Sequence, residues 1–383
     1  VQVAGTGGRG TERAGSAPTP PVAIVHDHLV QLGGAERVVL ELARAFPGAP
    51  VHTALYAPEA TYPALAALDI RPGPLNAIGG LRRHHRLAFP LMAPAVAARR
   101  VHADVTLCSS AGWAHGARTT GAKVVFWHAP ARWLYGPAYL RRSSPGAWAA
   151  RLLRPVLRRW DAAAARGAAL HLANSTVVAR RLAEIYGVSA EVVHPPAGLD
   201  PDGPEDPVPQ LRPGFLLCVS RLLPYKRVEE VLRAADGRWP LVVVGRGPER
   251  DRLQARAGPE VRFLEGVSDT RLRWLYRNAA LVVSAAVEDY GLVPLEAAGC
   301  GTPAVVLADG GFLDTVVDGV TGCFFARPDP DAVRGAVERA LGRRWDPEAL
   351  RAHAARFSAA AFRDRIRSAV RSVAGGGTVP LTR

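Results

Sequence analysis

Lysine is almost missing from this 383-residue chain: of 48 basic residues only Lys123 and Lys226 are lysine, and the rest are arginine. The net charge is +14, but a background that takes arginine wherever a cation is allowed explains most of it. Charge alone therefore does not choose between nucleic acid, an anionic membrane and an anionic substrate. It does single out the two lysines that persist. Cysteine is scarce as well. The four, Cys108, Cys218, Cys300 and Cys323, are scattered and form no Cys-x-x-Cys pair. That argues against a zinc site or redox motif and for the reduced, buried thiols of a cytoplasmic protein. No apolar run approaches the ~20 residues of a membrane span; the longest, 87–98, is short and holds Pro90 and Pro94. Residues 1–21, rich in Gly, Thr, Ser, Pro and Arg, lack the apolar core of a secretory leader and are expected to form a disordered tail.

What the chain does have is a regular alternation. Short apolar runs at Val22–His26, 51–55, 105–108, 124–127, Leu170–Ala173 and 191–194 alternate with helical periodicity, clearest at Val38, Val39, Leu42 and Phe46. A Pro/Gly/Asp-rich break at 196–214 reads as a linker. A second series follows at Phe215–Val219, Leu241–Val244, Val261–Leu264, 281–284 and Ala304–Leu307. Near-continuous apolar strands joined by helices imply parallel sheets covered on both faces. The chain is too long for one core, so two Rossmann-like domains are expected, at 22–195 and 215–355. Between them lies a cleft at the carboxyl ends of the strands. A helix at 356–373 could pack back on the first domain, and 374–383 reads as a loose tail.

The most informative stretch is Glu288-Asp289-Tyr290-Gly291-Leu292-Val293-Pro294-Leu295-Glu296. Glu288 falls on the loop after a buried strand, and Glu296 in the opening turns of a helix. The amides of Gly291 and Leu292 lie at the helix entrance, where unpaired N–H groups favour an anion. Carboxylates for hydroxyls, with amides for a phosphate between them, suit a nucleotide diphosphate sugar. Arg221 and Lys226, in Ser220-Arg221-Leu222-Leu223-Pro224-Tyr225-Lys226-Arg227, follow the first strand of the second domain. A guanidinium fork and a mobile ammonium suit a diphosphate leaving group; the bland alternative is two solvated cations. Gly33-Gly34, after the first strand, lets backbone approach a phosphate or sugar, although a Gly-Gly pair is often only a tight turn. Gly245-Arg246-Gly247 could border a base or ribose. His128 ends a strand of the first domain and could bond a sugar hydroxyl or relay a proton, or be a satisfied structural histidine. Asp314, in Gly310-Gly311-Phe312-Leu313-Asp314, could wrap a donor sugar.

Taken together these motifs resemble the retaining glycosyltransferases of family 4, with the GT-B fold. The matching elements are Glu288 and Glu296, Arg221 and Lys226, Gly245 and Gly247, Asp318-Gly319-Val320-Thr321-Gly322 and Gly33-Gly34-Ala35-Glu36. Val25-His26-Asp27, Phe89-Pro90-Leu91-Met92 and His128-Ala129-Pro130-Ala131-Arg132-Trp133 further resemble bacterial mannosyltransferases of O-antigen and exopolysaccharide assembly. The resemblance implies roles. Arg221 and Lys226, with the Gly291 and Leu292 amides and the Gly33-Gly34 loop, would hold the donor diphosphate. Glu296 would bind the ribose, Glu288 the donor sugar near the reacting centre, and His128 the sugar or the acceptor. No cofactor or metal is implied, because the cationic pair replaces one. The Asp-x-Asp pairs at Asp200/Asp202 and Asp329/Asp331 lie in the linker and a late loop. Asp314 stands where relatives often have Glu, and Arg246 where they often have an acid.

The expected reaction moves a sugar, mannose from GDP-mannose in the first instance with UDP-sugars open, to a glycan, lipid-linked or small-molecule hydroxyl. The segment 139–166, with Arg151, Arg154, Arg158 and Arg159 among Trp148, Leu152, Leu153, Val156 and Leu157, reads either as a membrane-surface helix or as a packed helix with a solvated basic face. The first would put the protein peripherally at the inner face of the cell membrane. A GT-B nucleotide-sugar epimerase would turn over donor without an acceptor. A non-catalytic nucleotide-sugar binder would be free to lose the Arg221, Lys226, Glu288 and Glu296 set. A nucleic-acid binder is disfavoured, since no zinc finger or RNA-binding aromatic motif is present.

Overall fold

The central strands are apolar runs that find cover on both faces, and the order in which the strands pair fixes where the cleft lies. The computed structural model describes residues 21–83, 89–136 and 145–374. Of the expected tails at 1–21 and 374–383, residues 1–20 and 375–383 lie outside the described residues, as do 139–144 of the basic segment and the side chains at 145–152. The chain runs through β1 (Val22–His26), β2 (Val51–Thr53), β3 (Ile70–Pro72), β4 (Arg100–Val101), β5 (Val105–Ser110), β6 (Arg118–Thr119), β7 (Ala122–Trp127), β8 (Leu170–Ala173) and β9 (Glu191–Val192). All but β4 and β6, which pair with each other, form a parallel sheet in the order β3-β2-β1-β5-β7-β8-β9. The second sheet uses β10 (Phe215–Val219), β11 (Leu241–Val244), β12 (Val261–Leu264), β13 (Ala279–Ser284), β14 (Ala304–Leu307) and β15 (Gly322–Phe325). Its order is β12-β11-β10-β13-β14-β15, again parallel. In both sheets the strand order reverses beside the first strand, which opens a crevice at the carboxyl ends of the strands. Two Rossmann-like domains with parallel sheets facing a cleft, the expected architecture, are what the chain adopts.

Each sheet is sandwiched between two apolar clusters. One cluster of the first domain recruits the far end of the chain. Phe362, Ile366 and Val370 of the helix Ala359–Ala374 pack with Val22, Ile24, Val38 and Leu107, and the Phe362 ring stands edge-on to Phe126 at 5.6 Å. Arg363 donates to Glu41 (2.7 Å) and Arg367 to the Ala45 carbonyl (3.1 Å), fastening that helix to Gly34–Ala45. The linker is pinned by arginines of the helix Asp269–Asn278. Buried Arg273 donates to the carbonyls of Asp200 and Pro204, and Arg277 to that of Pro201.

β3, β4, β6 and β15 have no counterpart among the apolar runs of the sequence. β3 is an edge strand of mixed polarity ending in proline. In β15 a Cβ at Gly322 would fall 2.1 Å from the Ala304 carbonyl oxygen, so this glycine is what lets the two strands approach.

Candidate active site in the cleft

The carboxyl ends of the central strands carry the polar residues of the cleft. Ser109 of β5 pairs in register with His26 of β1, and the His128 amide continues the β5–β7 ladder to Ser110 at 2.8 Å. In the second domain the β13 exit leads through Glu288 and Gly291 into the helix Leu292–Gly299. Gly291 has φ 101°, and a Cβ there would meet Phe312 at 2.8 Å and Thr315 at 2.9 Å, so only glycine makes this entry. A Cβ at Gly34 would fall 2.9 Å from the Leu292 side chain. The glycine loop of one domain therefore meets the helix N-terminus of the other, bringing Gly33, Gly34, Gly291 and Leu292 to one place.

Lys226 ends a single 3-10 turn, Pro224–Lys226, and is buried. Its ammonium makes a direct ion pair with Glu288 and lies over the Tyr225 ring at 5.0 Å. Arg221, exposed on the same loop, donates to the Tyr225 hydroxyl at 3.0 Å. Its charge also reaches Glu36 of the first domain, whose carboxyl it helps ionise. The two cations and Glu288 thus share one wall. Glu296 points into a drier recess: its Oε2 accepts from the Tyr276 hydroxyl at 2.9 Å, and Arg37 of the first domain approaches Oε1 at 4.0 Å. Burial raises its pKa, an effect that Arg37 and Tyr276 oppose.

Other expected contacts are spoken for within the protein. Both carboxylate oxygens of Asp314 are engaged by Thr176, by its amide at 2.6 Å and its hydroxyl at 2.5 Å, so this residue ties the domains together. A Cβ at Gly245 or Gly247 would fall 1.8 Å from the Ser220 carbonyl or 2.2 Å from that of Leu222. Those glycines let their loop pack under the Arg221 loop, and Arg246 turns to Glu265 at 3.5 Å.

Several residues to which the motifs alone give no role complete the cleft. Asp289 is held by Arg132 and by Arg181 (2.5 Å), and its carbonyl accepts from Ser175 Oγ (2.5 Å). Asp27 is buried and accepts the amides of Ala111, Trp113 and Ala114, each at 2.6 Å, which shapes the loop after β5. Ser109 Oγ lies 3.0 Å from His26 Nδ1 and 2.8 Å from His128 Nε2. Glu36, in the first turn of Gly34–Ala45, accepts from Gln31 at 2.9 Å and packs its other oxygen under Gly33, where a Cβ would come within 2.3 Å. Burial pushes its pKa up to about 7.

Comparison with known proteins bears on the family and the fold. A model described as Glycosyltransferase Family 4 matches residues 32–202, and one described as Glycosyl transferases group 1 matches residues 204–361. A GDP-mannose-dependent alpha-(1-6)-phosphatidylinositol monomannoside mannosyltransferase of Mycolicibacterium smegmatis is 32% identical over 186 residues, 41% of this chain and 49% of that protein. A D-inositol 3-phosphate glycosyltransferase 2 of Catenulispora acidiphila is 35% identical over 197 residues, 43% and 46% of the two chains. The chain spans about half the length of the curated relatives it matches. Among solved structures, Anabaena Alr3699/HepE in complex with UDP and glucose superposes with TM-score 0.65 at 18% identity, covering 92% of this chain and all of that one. The lipopolysaccharide outer core galactosyltransferase WaaB, apo form, gives 0.63 at 16%, covering 92% and 99%. At those identities the likeness concerns the fold.

Proposed function

The chain belongs to the family 4 glycosyltransferases, and from that membership and the cleft we propose that it moves a sugar from a nucleotide diphosphate donor to an acceptor hydroxyl, with retention at the anomeric carbon and no metal requirement. The observation that carries this reading is the meeting of the Gly33-Gly34 loop with the Leu292 helix entrance, beside a wall bearing Arg221 and the Lys226–Glu288 pair. Amides and two cations there can hold a pyrophosphate and neutralise its growing charge as it leaves. In the reaction the bond from the anomeric carbon to the phosphate oxygen breaks, and its electron pair leaves with the nucleoside diphosphate. The acceptor oxygen bonds to the same face, and its proton passes to the departing phosphate oxygen. Glu296 holds the ribose, and Glu288, released from Lys226 by the diphosphate, holds the sugar.

GDP-mannose is the proposed donor, supported by the name of the mycobacterial relative; the UDP complex of the Anabaena protein keeps UDP-sugars in the test. Thermal shift against UDP-, GDP- and ADP-sugars reads this directly, since a ligand that binds only the folded state stabilises it. No stabilisation by any of them would refute a nucleotide-sugar site. NMR of the product anomer tests retention, and inversion would end that mechanism. Turnover of donor with no acceptor present would favour an epimerase instead.

A lipid-linked acceptor at the cytoplasmic membrane face is part of the proposal. In the helix Pro145–Arg166, Leu153 and Val156 are solvent-exposed. Arg154 and Arg158 are engaged inward, Arg154 with the Leu134 carbonyl and Arg158 over the Tyr135 ring. Among the described residues no helix is long and apolar enough to cross a membrane, so contact would be peripheral. Liposome flotation at varied salt tests it; no binding to anionic vesicles at low salt removes it.

A further inference from the structure

We propose that Ser109 is a positioning residue that fixes the tautomer of His128, so that His128 offers its Nδ1–H as a hydrogen-bond donor to the substrates and cannot serve as a base. Its relevance to turnover rests on the glycosyl-transfer reading above; the tautomer itself does not.

The argument follows the protons through three side chains at adjacent strand ends. His26 Nδ1 lies 3.1 Å from the Ser109 carbonyl oxygen and 3.0 Å from Ser109 Oγ. A carbonyl only accepts, so Nδ1 of His26 carries the hydrogen and shares it with both oxygens. Having accepted there, the Ser109 hydroxyl has one proton to give, and His128 Nε2 is 2.8 Å away. The serine oxygen could accept from both rings, but its own proton would then be buried with no acceptor among the described residues; donation to His128 satisfies it, so Nε2 presents its lone pair. A neutral imidazole has one N–H, which leaves it on Nδ1. His128 is neutral at working pH because burial, aided by the neighbouring His26, lowers its pKa to about 3, with Asp27 only partly opposing.

The scaffold around this chain is rigid. Ser109 is fully buried, and the β1–β5 register sets it directly beside His26. Asn174 Nδ2 donates to the His128 carbonyl at 3.0 Å, and the His128 ring packs edge-on to Phe126 at 5.3 Å. A donating Nδ1–H suits an oxygen that gains negative charge or a sugar hydroxyl oxygen. It leaves the acceptor's proton to the departing phosphate, in keeping with the same-face attack proposed above.

The test uses the full chain labelled with ¹⁵N-histidine at neutral pH, where ring-nitrogen correlations distinguish the tautomers. His128 is identified by the signals lost in His128→Gln. The expected wild-type spectrum shows the Nδ1–H form. In Ser109→Ala it shifts to the Nε2–H form or a mixture, and kcat falls roughly 10- to 100-fold with donor KM little changed. Ser109→Thr, which keeps the hydroxyl, restores both the tautomer and most of kcat. A wild-type Nε2–H form overturns the proposal whatever the variants do, as does an unchanged tautomer and kcat in folded Ser109→Ala. The spectrum needs no substrate. An Nδ1–H signal without turnover of any nucleotide sugar would therefore refute the function and leave the positioning of His128 standing.

Discussion

Replacing Glu36 by glutamine separates the cost of a buried charge from everything else that side chain does. The carboxyl is 1% exposed, and burial pushes its pKa from 4.5 up to about 7. The folded chain therefore holds this proton more tightly than the unfolded chain does. The stability that follows is fully present below about pH 4.5 and is lost as pH rises through about 7. A gap of that size is worth about 3 kcal/mol, most of it lost between about pH 5 and pH 8. Glutamine keeps an acceptor for Gln31 Nε2 but never ionises. Whatever pH-independent penalty its amide brings under Gly33 is the same at every pH. Asp27, His28 and Arg221, the charged and titratable neighbours of the carboxyl, are present in both proteins, so their own titration largely cancels in the difference. Denaturant unfolding of both proteins across that pH range, followed by tryptophan fluorescence, should show Glu36→Gln gaining about 3 kcal/mol relative to wild type towards the alkaline end. Parallel stability curves would mean that Glu36 already titrates like a solvated acid, and the cradle under Gly33 would not be the dry site described.

Four further substitutions probe the cleft and its frame. Lys226→Ala and Glu296→Ala should each lower kcat by roughly 100-fold or more while the protein stays folded by circular dichroism; near-normal turnover in either would count against the site. Asp289→Ala frees Arg132 and Arg181 and should loosen the two domains, raising the radius of gyration in small-angle scattering; an unchanged profile would show that this pair does not hold the cleft shut. Phe362→Ala removes a fully buried ring that packs on Phe126 and should cost about 3–5 kcal/mol in the unfolding of the first domain, although the residue lies at the far end of the chain.

How far the sequence could be read follows from the range of the interactions involved. Val22–His26, Leu170–Ala173, Phe215–Val219, Leu241–Val244 and Ala304–Leu307 are recognisable residue for residue, because a strand covered on both faces is a near-continuous apolar run; Val261–Leu264, a half-buried edge strand holding Arg262, is recognisable from its remaining apolar residues. Lys226 and Glu288 were legible for a related reason: both follow central strands, and strand ends in such a fold converge on the crevice. Their ion pair spans 62 residues; the topology brings the two strand ends together, but the sequence assigns them separate partners, a diphosphate and a sugar, and does not announce the pair. Where the partner is set by the docking of one domain on the other, local pattern carries no such signal. Nothing within a dozen residues of Asp314 announces that Thr176 will cap its carboxylate, or of Glu296 that Arg37 will approach it. Gly245 and Gly247 show a further limit. A glycine required for close approach looks the same in sequence whether the approaching group is a ligand or, as here, the Ser220 and Leu222 carbonyls. The Ser109 bridge lies beyond reach for a different reason. Its meaning depends on which of two ring nitrogens faces a hydroxyl on each side, and strand register, unlike residue type, decides that. The residues most open to sequence reading are thus those whose chemistry is carried by their own charge. Those that set the proton positions and the domain closure emerge only once the two sheets are placed against each other.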